Sequence, residues 1–470
     1  MENDINKKVV MITIMLGSFL TPFMGSSVVV ALPSIGKEFA LNEGLINWIA
    51  TSFILTTAVF VVPCGKFADI YGRKKILFYG LFIFTLSSVL CGLSINAFML
   101  ISFRALQGVG GAMISATVIA IITSVYSSGE RGKAIGINVA AIYTGLSIGP
   151  VVGGIVTQHF GWRILFFMMI PLGLIVIILL SRLKQEWSEA KGERMDYKGS
   201  LIYGVGLLCL MCGLSFIRNN WYGIGLIIVG CVILIIFGIY ETKIINPILD
   251  ISLFKKSRIL MFSSIAALIN YSATYAVSFL LSLYLQYVKG FNPEHAGLIL
   301  VVQPVIQALF SPLSGKLSDR VEAQKVASFG MGLSTVGLLV LCFLKVGTNI
   351  SIVLITLVVL GFGFALFSSP NTNAVMNSVE KRYYGVASGI LGAARTIGQT
   401  VSMGITSLIL TLFLGNTAIS SSNNPRFIHG FTVSFVVFTI MCFLGIFASL
   451  ARGKVEGKVK LESDRGSTPS

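Results

Sequence analysis

Apolar stretches recur along almost the whole chain, each bounded by charge and most of them long enough to cross a bilayer. They fall at residues 9–31, 45–65, 76–95, 98–124, 133–157, 164–182, 199–216, 221–241, 259–287, 296–314, 325–344, 350–370, 385–413 and 430–450. A helical span needs roughly 20 apolar residues, so the pattern predicts an all-α integral membrane protein with 14 transmembrane helices. Composition agrees: 55% of the 470 residues are hydrophobic, only 11% are charged, and the mean hydropathy is +0.87. A net charge of +16 would suggest nucleic acid in a soluble protein. In so apolar a chain it suggests loops facing an anionic leaflet, and no nucleic-acid partner is expected. The first run is too long for a signal peptide and lacks a cleavage site, so it is expected to be a span.

The basic residues give the orientation. With the N-terminus inside, 27 of the 35 Lys and Arg fall in the inside loops and 6 in the outside loops, and Arg104 and Arg395 lie within spans. Positive residues mark the cytoplasmic side, so both termini are expected in the cytoplasm. The seven cysteines lie in or beside spans, and Cys209 and Cys212, at i and i+3, read as helix packing.

The chain repeats weakly at an offset of about 250 residues. Pro63-Cys64-Gly65-Lys66-Phe67-Ala68-Asp69 recurs around Pro312, Gly315, Lys316, Asp319 and Arg320, and Glu130-Arg131-Gly132-Lys133 is echoed by Glu380-Lys381-Arg382. This predicts two six-span halves, with two further spans between them. Parallel repeats of this kind place a substrate path at their interface, near mid-membrane.

Three stretches carry more specific information. In the loop from Gly65 to Lys75, Gly65 and Gly72 allow a tight turn between packed helix ends. Asp69 can face a positive helix N-terminus, while Arg73 and its basic neighbours can pair with it or with lipid. The fourth span carries Arg104-Ala105-Leu106-Gln107-Gly108-Val109-Gly110-Gly111-Ala112. A charge there costs about 2.5 kcal/mol or more, so Arg104 is either functional or bonded to neighbouring carbonyls. The fifth span carries Gly145-Leu146-Ser147-Ile148-Gly149-Pro150-Val151-Val152-Gly153-Gly154. Gly145 and Gly149 make a flat face for close helix approach, and Pro150 bends the helix.

Together these stretches resemble the major facilitator superfamily, and specifically its fourteen-span drug:proton antiporter family, over nearly the whole chain. Ala31-Leu32-Pro33, Trp48, Trp162-Arg163 and Gly392-Ala393-Ala394-Arg395-Thr396-Ile397-Gly398-Gln399 are similar to the family pattern as well. The resemblance implies a major facilitator fold of two six-helix bundles, 1–182 and 259–450, plus two extra central helices in 183–258; the polar composition of the end of the chain predicts a disordered cytoplasmic tail, 451–470. It implies that the Asp69 loop latches the two halves in the outward-facing state and that Arg104 serves proton coupling or gating. It also implies that the fifth span, with Gly145, Gly149, Pro150, Gly153 and Gly154, seals one side during export.

One departure stands out. Of the 19 acids, none lies mid-span, and Gly25 stands about where related antiporters carry an aspartate. Buried carboxylates are the usual counter-charge for lipophilic cations, so a site near Arg104 and Arg395 should disfavour dications. Proton coupling would then run through groups near the span ends, such as Asp69, Glu241 or Glu294-His295, or be absent. Polar residues in spans supply cavity candidates: Gln107, Asn138 and Tyr143 in the first half, and Asn270, Tyr271, Tyr275, Gln303, Gln307, Asn371, Arg395 and Gln399 in the second. Gln303 with Gln307, and Tyr271 with Tyr275, are i, i+4 pairs on one face.

No phosphate loop, metal-ligand spacing or clustered catalytic set appears, so neither an enzyme nor an ATP-driven pump is expected, nor any cofactor or metal. The expectation is a monomeric secondary exporter of small amphipathic compounds in the plasma membrane. It would work by alternating access, with protons as the coupling ion and membrane lipids as surroundings, and would favour neutral or anionic substrates. The alternative is a carrier of lipids, metabolites or other anions on the same fold.

Overall fold

A computed structural model describes residues 7–39, 43–216, 221–249, 253–254, 257–291, 293–414 and 424–452. The predicted disordered tail therefore lies, apart from Ala451 and Arg452, outside the described residues. Among the described residues every regular element is helical, with no strand. In the first half the helices are α1 (Lys7–Glu38), α2 (Glu43–Tyr71), α3 (Arg73–Gly92), α4 (Ala97–Val125), α5 (Ser128–Phe160), α6 (Arg163–Phe167) and α7 (Met169–Ser181). Helices α8 (Tyr197–Phe216) and α9 (Trp221–Glu241) follow as a central hairpin. The second half holds α10 (Arg258–Thr274), α11 (Val277–Leu283), a π-helical turn (Tyr284–Val288), α12 (Pro293–Leu300), α13 (Val302–Arg320), α14 (Ala323–Leu341), α15 (Ile350–Asn377), α16 (Tyr384–Leu414) and α17 (Asn424–Leu450).

Among the described residues, 12 helical stretches are long and apolar enough to cross a membrane. The other two apolar runs, 199–216 and 385–413, are helices α8 and α16, and the apolar part of α8, Tyr197–Gly213, is shorter. Three runs expected as continuous spans are broken: 164–182 into α6 and α7, 259–287 into α10 and α11, and 296–314 into α12 and α13. No proline or glycine marks the α10–α11 break. The Ala276 N–H donates there to Ser402 Oγ of α16 at 3.0 Å, a side chain replacing the bond the broken helix gives up.

Each half has its own apolar core, one around Phe84, Ile114 and Phe166 and the other around Leu280, Phe431 and Phe435. A third cluster joins the hairpin to α2 through Leu55, Val59, Tyr203, Leu207 and Phe237. The Tyr203 hydroxyl also donates to the Ala58 carbonyl at 3.3 Å. The halves meet along two similar seams, α2 against α16 and α5 against α13.

Candidate functional site: two cross-half junctions and a central polar cluster

At one end of the molecule each seam is closed by backbone contact between glycines. A Cβ on Gly65 would run into the Gly385 carbonyl group, and one on Gly315 would meet the Gly132 carbonyl. Only glycine lets two helix backbones come so near. Gly72, at φ +115°, is the single residue between α2 and α3. That left-handed turn, open to glycine at little cost, returns the chain so that Arg73 lies one helical turn from Asp69.

The two carboxylates then act alike. Asp69 accepts from the Gly385 N–H (2.9 Å) and the Val386 N–H (3.1 Å), in the first turn of α16. Asp319 accepts from the Gly132 N–H (2.8 Å) and the Lys133 N–H (3.0 Å), the fifth and sixth residues of α5. Asp69 thus caps a helix N-terminus of the other half, where free N–H groups and the helix dipole favour negative charge, and Asp319 binds one turn further into its helix.

The surroundings of the two junctions differ. Arg73 is fully buried and donates from Nε and Nη2 to Asp69, from Nη1 to Ser124 Oγ and from Nη2 to the Lys381 carbonyl. Arg320 is exposed, and Asp319 instead takes the Asn373 amide at 3.3 Å. Arg131 bonds Asn377 and, at 3.4 Å, the Tyr384 hydroxyl. The Tyr384 ring has both Arg73 (5.3 Å) and Arg131 (5.6 Å) over it. These cross-half contacts of Arg131, Asn377 and Tyr384 escaped sequence reading, which placed Arg131 only in the internal repeat and among the inside charges.

The segment between α7 and α8 straps over the Asp69 loop. Glu186 accepts from the Lys74 and Lys75 N–H groups, the Trp187 carbonyl accepts from the Arg73 N–H, and Lys66 pairs with Glu193 at 2.5 Å.

Arg104 is 1% exposed and sits inside the first half. Its Nε donates to the Ile49 carbonyl at 3.1 Å, its Nη1 donates to Gln107 Oε1, and its guanidinium lies 4.6 Å from the Phe53 ring centre. Gln107 passes the chain on to Ser88 Oγ of α3 at 2.6 Å. Both residues are thus engaged within one bundle, and Gln107 stands apart from the other cavity candidates. The α5 glycines pack against α1: Gly145, Gly149 and Gly153 abut Phe19–Ser27, while Ser27 Oγ donates to the Gly149 carbonyl at 3.0 Å. Gly154 faces Val30 more loosely, and Pro150 lies within an unbroken α5.

Between the halves, Tyr143 of α5 interacts with Tyr271 of α10, Ser368 of α15 and Arg395 of α16. Arg395 is half-buried, and among the described residues no hydrogen bond or ion pair holds its guanidinium. Several buried amides nearby in sequence have polar atoms with no partner: Asn138 Nδ2, both amide atoms of Asn270, Gln303 Oε1 and Asn371 Oδ1. Such atoms cost free energy until something bonds them. Asn138 otherwise accepts from Ser18 Oγ at 2.6 Å. Gln307 is buried, Gln399 is half-buried and Tyr275 is exposed. Ser368 was not anticipated, because serines in spans commonly bond their own helix. The Glu294 side chain lies outside the described residues.

At the opposite end, Glu38 of α1 accepts from Trp162 Nε1 at 2.6 Å and pairs with Arg163 at 2.7 Å. Burial pushes its carboxyl up, but the Trp162 and Arg163 bonds outweigh this and hold it below the usual carboxylate range.

Comparison with known proteins agrees with this architecture. The Major Facilitator Superfamily pattern matches residues 14–262 and 263–469. The riboflavin transporter RibZ of Clostridioides difficile is 29% identical over 94% of this chain and 96% of its own length. The multidrug resistance protein Stp of Mycobacterium tuberculosis is 31% identical over 86% of this chain and 75% of its own. The crystal structure of the human organic anion transporter MFSD10 superposes with a TM-score of 0.68 at 12% identity, covering 94% of this chain and 99% of that one. The chain is a multi-pass membrane protein that belongs to the Major Facilitator Superfamily of transporters.

Proposed function

We propose that this protein is a proton-coupled secondary exporter of small amphipathic compounds, a multidrug efflux carrier that favours neutral or anionic substrates over dications. In this reading it crosses the plasma membrane 14 times with both termini in the cytoplasm. The two aspartate-bonded junctions close the cytoplasmic end in the outward-facing state, and Arg104 supports gating through α2 and α3. The single observation that carries the substrate preference is Arg395. It is an unneutralised cation beside Tyr143 and Tyr271 at the meeting of the halves, in a chain with no acid in mid-span. A positive charge in a medium of low dielectric repels a dication and attracts an anion. Tyr143, Tyr271 and the unpartnered amides would serve the hydrogen-bonding groups of such a substrate. Relatives named for multidrug resistance support efflux. The relative named for riboflavin, a neutral heteroaromatic compound, supports the neutral class and keeps a metabolite carrier as the second reading.

The test is transport in proteoliposomes with and without an imposed proton gradient, comparing a divalent quaternary ammonium dye with an anionic dye. The anionic dye should move in preference and depend on the gradient, and Arg395→Gln should erase the preference. Faster transport of the dication by the wild type would sink the substrate assignment. Transport indifferent to the gradient would remove the coupling.

A further inference from the structure

Two acids meet at the base of the central hairpin: Glu241, which the sequence offers among the candidate coupling groups, and Asp196, to which it gives no role. Asp196 lies just before α8, and its Oδ1 accepts from the Gly199 N–H at 2.9 Å. Glu241 is the last residue of α9, 2% exposed, and its Oε2 accepts from the Leu249 N–H at 3.0 Å. The other oxygen of each, Asp196 Oδ2 and Glu241 Oε1, is buried and has no hydrogen-bond partner. These two oxygens face each other over Gly199, where a single added Cβ would collide with both, and the two carboxyl groups interact directly.

The neighbours offer no cation. The Tyr240 hydroxyl approaches Asp196 Oδ1 at 3.5 Å, and Leu249 and Ile248 contribute only backbone N–H groups to Glu241. Arg194, Lys198 and Lys243, the nearest bases in sequence, are exposed, and among the described residues neither acid forms an ion pair. Ile70, Ala190, Met195, Phe237 and Ile248 pack into the same apolar cluster.

Two ionised carboxylates can only accept, so they cannot bond each other, and like charges in an apolar setting repel. One proton placed between the two bare oxygens turns both faults into a single O–H···O⁻ bond. We propose that Asp196 and Glu241 form a proton-binding pair that holds one shared proton and fastens the ends of α8 and α9 together. The pair lies outside the seams between the halves, so the inference does not rest on the transport reading. It ties proton occupancy to the strap, because Glu193, three residues before Asp196, grips Lys66 beside the Gly65 junction.

The sign follows from linkage. A proton held in the folded state stabilises it at low pH, and that stabilisation is lost as pH rises and the proton leaves. The experiment uses the full-length protein in lipid nanodiscs, with thermal unfolding followed from the ordinary carboxylate range up to mildly alkaline pH. Infrared spectroscopy reports the carbonyl stretch of a protonated carboxylic acid. The wild type should show that band at mildly acidic pH, above the ordinary carboxylate range, and should lose stability as pH rises from there until the proton leaves, approaching about tenfold in the unfolding equilibrium per pH unit for one proton. Glu241→Gln replaces the shared proton with an amide donor, so it should fold, remove the band intensity due to the pair and flatten the pH slope. Asp196→Asn, with the amide on the other side, should do the same and stands in if Glu241→Gln fails to insert. A variant that keeps both the band and the slope of the wild type overturns the proposal, as does a wild type with no such band.

Discussion

Gly65→Ala tests the α2–α16 junction without touching a charge. The added carbon would sit 2.7 Å from the Gly385 carbonyl carbon and 3.2 Å from the Val386 nitrogen. Carbon–carbon contact needs about 3.5–4.0 Å, so the helices must part by about 1 Å. The Asp69 bonds to Gly385 and Val386, at 2.9 and 3.1 Å, would then stretch beyond hydrogen-bonding distance. Hydrogen bonds to a charged group contribute about 1.5–3 kcal/mol each. Taking the low end, because the parted groups regain water, gives a loss of about 3 kcal/mol from the joined state and nothing from the parted one. Moving an equilibrium from 99:1 to 1:99 takes about 5.5 kcal/mol, so a molecule joined 99 parts in 100 would become roughly evenly divided. Spin labels on the exposed positions Lys75 and Lys325, in a cysteine-free background, read the distance between the halves at that end. The wild type should give mainly the short distance and Gly65→Ala a comparable long population. Gly129→Ala, where nothing lies within 4 Å of the new carbon, should match the wild type. An unchanged distribution in Gly65→Ala would refute the claim that this contact holds the halves together.

Arg104→Ala strips the donor from Gln107 Oε1, while the Ile49 carbonyl keeps Ser52 Oγ at 3.5 Å. The buried oxygen left bare costs about 1–3 kcal/mol, so the melting temperature should fall; normal dye transport by this variant would remove Arg104 from gating. Ser402→Ala leaves the Ala276 N–H at the α10–α11 break without its partner, for a loss of about 1–3 kcal/mol, and hydrogen exchange at Ala276 should accelerate. For Glu38, whose carboxyl is held below its ordinary range, the stabilisation is present above that range and is lost as pH falls through the lowered value. Glu38→Gln should therefore melt lower than the wild type at neutral pH, by no more than about 1 kcal/mol for so exposed a pair. The difference should vanish in strong acid.

The sequence disclosed its helices through apolar length, and the Asp69 loop through a glycine, an acid and a base at turn spacing. What it could not disclose was the partner. Gly385 lies 316 residues from Asp69, and nothing local to either residue says that they meet; the weak internal repeat was the one pointer, since Asp69 and Asp319 turn out to do the same work. Gln107 shows the opposite limit. A polar residue in a span reads equally as a ligand contact or as a link between helices, and only the position of Ser88 decides for the link. The breaks at Met168 and Val301 each fall three residues before a proline, Pro171 and Pro304, which removes a bond to the preceding turn; the one at Tyr275–Ala276 was illegible, since hydropathy is continuous through it and no proline or glycine lies near.

The strap bears on how the chain is tethered. Glu186 and Glu193 bolt its first part to the α2–α3 turn, Tyr203 anchors the hairpin to α2, and Leu249 is held by Glu241. The hairpin therefore belongs mechanically to the first half, even though it stands midway in the sequence. Just beyond, Leu253 is buried in a cluster with Val375, Val386 and Ile390 of the second half. The change of allegiance between Leu249 and Leu253 marks the place to sever the chain. Two separately expressed polypeptides divided there would carry the hairpin with the first and leave both seams free to reassemble.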